Sequence, residues 1–268
     1  MFGMIFIETL RQTRWQMLYW GLGLGVMALI STALVPLFDA MKIVELLQGM
    51  PPILLAASGL DADVTAFATP EGIITVGFFG KFALIFAAYP VVMGMRVTAN
   101  EEDDGILDMV LSLPVPRWQM MIEKFAAYLL TIIFIAVLVY AGLWLGTQLI
   151  NVSLDMSRMA PMVLNIVPTL TLVMAFTVLV AAIIRRRQVS LAVATAFVLG
   201  SFMLDSVAGM VEGGSAALLR KISVFSYYDP GNVIQNGLIW GNVAGLLIVS
   251  GVLLAGAVWF FQRRDIGV

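Results

Sequence analysis

Five carboxylates fall within eight consecutive residues: Glu101, Glu102, Asp103, Asp104 and Asp108. No base follows until Arg117. On a helix over 101–113, Glu101, Asp104 and Asp108 share one face, while Ile106, Leu107, Val110 and Leu111 supply an apolar side. Acids in the first turn suit the positive end of the helix dipole, and Pro114 and Pro116 stop the helix. The chemistry of such a segment is recognition. Amphipathic helices that lie on lipid are rich in Lys and Arg, because the cytoplasmic leaflet is anionic. An acidic face would be repelled there, so a protein partner offering basic or apolar surface explains it better than lipid. A solvated acidic loop is the plainer alternative.

Two further charges stand out because they sit inside apolar runs, Lys81 and Asp205. A charge in the middle of a membrane helix is a functional candidate by default. These two readings stay open: a bridge between spans, or separate snorkelling toward the interface, against a role in handling substrate or protons. Other chemistry is excluded by composition. The chain has no Cys and no His, so thiolate, disulfide and iron–sulfur chemistry, Ser–His or Cys–His catalysis and the commonest metal ligand are absent. The nearest approach to a phosphate-binding loop, Gly77-Phe78-Phe79-Gly80-Lys81-Phe82, has the wrong spacing and no hydroxyl after the lysine. A net charge of −2 gives no footprint for nucleic acid.

The elements that must position these residues are six apolar stretches, near 15–38, 73–97, 125–150, 161–184, 189–210 and 240–261, each about 20 residues or more, enough for one bilayer span. With 61% hydrophobic and 12% charged residues in 268, the chain is an all-α polytopic membrane protein, one domain over 1–268. Ten bases fall on the side of the N-terminus and four on the other, which puts both termini in the cytoplasm. Residues 1–14 read as an interfacial helix along the inner leaflet, with a simple upstream extension of the first span as the alternative. Tyr89–Pro90 should kink the second span. Gly21 with Gly25, Gly142 with Gly146, and Gly241 with Gly245 let helices approach closely, within one subunit or at a dimer seam. Seventeen methionines suit adaptable packing.

The run Glu102-x-x-Gly105-Ile106-Leu107-Asp108-x-x-Leu111-Ser112-Leu113-Pro114-Val115-x-Arg117, closing at Lys124, resembles the cytoplasmic loop of ABC-2 type transporter permeases, as does the C-terminal Phe261-x-Arg263-Arg264-Asp265-Ile266. The usual form is Glu, Gly-Thr-Leu-Glu, Leu-Leu-Ser-x-Pro-Val-Ser-Arg, then Lys; Ile106 and Pro116 are the departures, and neither removes a charge. The resemblance implies two permease copies, expected as a homodimer, and a separate ATP-hydrolysing subunit that holds ATP and Mg. It implies that the loop 98–124 acts as a coupling helix docking on that ATPase through Glu101, Glu102, Asp104, Gly105, Leu107, Asp108, Leu111, Pro114 and Arg117. The chain itself is then no enzyme and holds no cofactor. The function expected is the permease of an ATP-driven exporter in the plasma membrane of a prokaryote, moving an amphipathic drug, antibiotic or lipid-like molecule. An ion-coupled transporter, which should show internal repeats and more intramembrane charges, and a non-transporting membrane scaffold are the rivals.

Overall fold

The helix at the centre of the molecule is as apolar as any described span and also carries small and hydroxylated residues. The computed structural model describes residues 3–37, 45, 49, 69–80, 82–98, 116–150, 152–184, 186–210 and 221–263. Among them every regular element is helical: α1 (Met4–Leu34), α2 (Pro70–Ile74), α3 (Ala83–Val97), α4 (Arg117–Ile150), α5 (Met156–Ile183), α6 (Arg187–Met210), α7 (Phe225–Tyr228), α8 (Pro230–Asn236) and α9 (Trp240–Arg263). A 3-10 turn, Val35–Leu37, ends α1, and a π-helical stretch, Thr75–Gly80, continues α2. Five helices are long and apolar enough to cross a membrane, and six spans result when the bent pair Pro70–Gly80 and Ala83–Val97 is taken as one.

α5 packs against α3, α4, α6, α8 and α9. In its most apolar stretch 78% of residues are buried, against 22% in α6 and 17% in α9, so α5 is the axis and α6 and α9 lie outside it. The core beside α5 is filled by Phe78, Phe79, Phe86, Met93, Met121 and Met162, all at most 2% exposed. Methionine thus serves here as flexible filling for helix–helix gaps. Phe78 meets Phe79 and Phe86 edge-on, with centroids 5.1 and 5.5 Å apart, the geometry that aromatic quadrupoles favour.

α1 and α4 run in the same direction and share the most extensive contact between any two helices described. Two of the three glycine pairs explain it. A Cβ at Gly142 would stand 2.1 Å from the Gly25 carbonyl oxygen, one at Gly25 2.9 Å from that of Leu138, and one at Gly146 2.6 Å from Thr32 Cβ. Backbone touches backbone, which only glycine permits. The pair on α9 differs: a Cβ at Gly241 or Gly245 meets nothing within 4 Å.

One expectation needs correction. No separate interfacial helix ends near residue 14; within the described residues α1 is one helix of 31 residues from Met4, about 46 Å long. The chain has no glycine or proline between Met4 and Trp20, so nothing interrupts the backbone ladder there. In the second span a bend appears at a place the sequence did not announce. α3 runs through Pro90 without interruption, and the 41° bend lies where the π stretch ends at Gly80 and α3 begins at Ala83. A π turn and a glycine loosen the ladder there, while Pro90, itself buried, gives up one bond inside a helix that packs against α5, α4 and α6.

Candidate functional site

The acidic loop leaves α3 and returns at α4. Glu101, Glu102, Asp104, Gly105, Leu107, Asp108, Leu111 and Pro114 lie outside the described residues. Arg117, half-buried, opens α4. The two flanks of the loop are described in detail, and both are tied to α1.

On the α4 flank the tie is Glu123, 5% exposed. Its two carboxylate oxygens accept the backbone N–H of Gly3 and of Phe6 at 3.0 and 3.1 Å. A side chain of α4 therefore caps the first turn of α1, whose own N-cap residue is a glycine with φ of 91° and no side-chain bond to offer. The first amides of a helix have no partner within it, and a carboxylate there also meets the positive end of the dipole. Gln119, one turn earlier, donates its Nε2 hydrogen to Glu123 Oε1 at 2.7 Å and fixes the carboxylate in place. The sequence shows the acid but not its partner, which lies 120 residues upstream.

On the α3 flank the tie is Arg96, in the last turn. Its Nη1 donates to Gln16 Oε1 of α1 at 2.8 Å. Higher along the same three helices, Trp20 meets Tyr89 edge-on at 5.7 Å, and Tyr89 and Thr131 share a hydroxyl hydrogen bond of 2.6 Å. Thr131 in turn donates to the Tyr128 carbonyl at 2.7 Å. These are buried polar groups with partners, the condition for keeping them inside.

Of the two intramembrane charges, Lys81 lies outside the described residues. Asp205, on α6, accepts the Ser226 hydroxyl of α7 at 2.5 Å. Ser201 and Ser223 make a second tie between the same elements: Ser223 Oγ donates to the Ser201 carbonyl at 2.7 Å, and Val224 N–H donates to Ser201 Oγ at 2.7 Å. α7 is also held to α5, where Asn165 Nδ2 donates to the Tyr228 carbonyl. Burial pushes the Tyr228 phenol far up, so it stays neutral. Where α5 begins, Asp155 accepts from the Ser157 hydroxyl and N–H, and these bonds hold its carboxyl below the usual range.

A pocket of about 420 Å³ opens between α5, α6, α7 and α9. Leu172 and Leu246 are buried in its wall, Phe176 and Phe197 stack within it, and Lys221 and Asn242 stand at one end. Sequence reasoning could not find it, because its lining comes from four separated segments.

Residues 8–262 match the family described as the multidrug efflux system permease Rv1217c, C-terminal domain. No protein in the curated set matches the chain. The match takes in the five membrane-length helices and the bent pair almost completely, and it agrees with the ABC-2 type resemblance of the loop. The chain, a multi-pass helical membrane protein, belongs to the family of the multidrug efflux system permease Rv1217c C-terminal domain.

Proposed function

We propose that the chain is the permease subunit of an ATP-driven exporter, working as two copies with a separate ATPase that supplies ATP hydrolysis and its Mg. The observation that carries this reading is the family match over residues 8–262, taken with the acidic amphipathic segment 101–113 placed between α3 and α4. In this reading the end of the molecule that carries the start of α1, the end of α3 and the start of α4 faces the cytoplasm. Arg11, Arg14, Arg96, Arg117, Arg186, Arg187 and Arg263 all belong to that end, as expected for a cytoplasmic face. Glu101, Glu102, Asp104 and Asp108 supply the charge that a basic surface on the ATPase would meet, and Leu107 and Leu111 the apolar contact.

The role given to Glu123 and Arg96 follows from where they sit. Each is within a few residues of the loop and holds α1, so displacement of the loop is passed to α1 and α4 together. Substrate would be amphipathic and would leave the cell along the permease surface.

The test is co-purification with a separate ATPase subunit, followed by substrate-stimulated hydrolysis in liposomes. Asp104→Lys with Asp108→Lys should reduce association or uncouple hydrolysis from transport by about tenfold or more, since charge complementarity sets recognition. The variant should still insert, because no span is touched. Full coupled transport by that double variant would remove the loop from this role.

A further inference from the structure

The pocket between α5, α6, α7 and α9 shares no residue with the ties that flank the loop, yet it is built like a ligand site. Its 420 Å³ falls in the range of about 300–1,000 Å³ typical of such sites. The space exists because of two residues. Gly241 and Gly245, one turn apart on α9, present no side chain, and a Cβ at either would meet no atom within 4 Å. The lining follows α9 from Gly241 to Leu253, about 18 Å along the axis, so the space is a slot and not a sphere.

The two ends of the slot differ in chemistry. At the deep end Phe176 lies against Phe197 with centroids 3.9 Å apart and planes at 21°, and Leu253 closes the wall. At the other end stand the exposed Lys221 and the Asn242 amide. Lys221 is the one charged residue among the described residues of the lining, and no carboxylate is among them. An apolar slot about 18 Å long with a cation at its mouth is complementary to a molecule with one hydrocarbon chain and an acidic head. A cationic amphiphile would set like charge beside Lys221. We infer that this slot binds a single-chain acidic amphiphile, head group at Lys221 and tail along α9 to the Phe176–Phe197 stack. The inference rests on the exporter reading in treating that molecule as cargo.

Its test needs neither ATP nor the ATPase, so its failure and that of the exporter reading are separable. The full chain in phosphatidylcholine nanodiscs is photolabelled with a diazirine-bearing hexadecyl sulfate, and labelled peptides are mapped. Saturable labelling of peptides from α5, α6 and α9 is expected, with half-saturation about tenfold below that of the trimethylammonium probe of equal chain length. Lys221→Glu should abolish or invert that preference. Gly245→Leu, which grows into open space, should cut labelling about tenfold without lowering the melting temperature. Equal affinity for the two head groups, labelling unchanged in both variants, or labelling spread without saturation over the exposed faces of α1 and α4 would overturn the inference. So would equal competition by diacyl phosphatidylglycerol, which would make the slot a seat for bilayer lipid.

Discussion

Glu123 does for α1 what a cap within its own chain segment ordinarily does. With Gly3 at the N-cap, the first turn of α1 depends on a carboxylate from another helix. Glu123→Ala should cost about 1–2 kcal/mol, visible as a lower melting temperature in detergent and faster hydrogen exchange at the Phe6 amide. Glu123→Gln keeps acceptor and shape and should cost less. Equal melting temperatures for all three proteins would show that the cap contributes nothing. The cap was not legible in the sequence, because hydrogen bonds across 120 positions leave no local pattern. The other residue-scale expectation is the bridge between Lys81 and Asp205. The hydroxyl of Ser226 already shares Asp205, so the aspartate has support on its own side of the bilayer. A double-mutant cycle with Lys81→Met and Asp205→Leu should show the single changes costing more than the pair together, since removing one charge strands the other. Strictly additive melting shifts would separate the two residues.

At the scale of elements the glycine pairs divide into two kinds that the sequence writes identically. Gly142 faces the backbone of Gly25, and carbonyl groups in a packed helix have nowhere to go. Gly142→Ala should therefore cost about 1–3 kcal/mol by overpacking, whereas Gly245→Ala should be neutral or slightly stabilising. Thermal unfolding of both in one detergent checks this; similar shifts would mean that the α1–α4 contact is looser than drawn. Spacing announced close approach but not the partner, since facing residues lie more than a hundred positions apart. The spans near 189–210 and 240–261 coincide with α6 and α9, because an apolar run bounded by arginines or a tryptophan is a local signal. α4 begins eight residues before the expected 125, as its first two turns carry Gln119, Glu123 and Lys124, which hydropathy discounts and helix packing accepts. The bend at Gly80 escaped because proline is a louder signal than a π turn.

For the whole molecule, the distribution of bases gives a topology that can be labelled directly. The chain has no cysteine, so single cysteines report alone. Ser153→Cys and Ser215→Cys should react with an impermeant maleimide added outside cells, and Gln188→Cys should not. Labelling of Gln188→Cys from outside would invert the arrangement. The all-helical, multi-span class was readable from composition and run length, since apolar runs of about 20 residues match helical spans, which pair their own backbone polar groups inside the bilayer. The order in which helices surround α5 was not, because it depends on side-chain shapes across segments. One consequence of the α1–α4 contact concerns mechanics. These two helices are fastened near one end by Glu123 and toward the other by Gly25 on Gly142 and Thr32 on Gly146. Thus fastened, they form a single strut about 35 Å long between its outermost rivets. On the exporter reading proposed above, a shove at Pro116 would reach the far side of the bilayer as a shift of the whole strut, with α5, which packs against α4, as a wall to slide along.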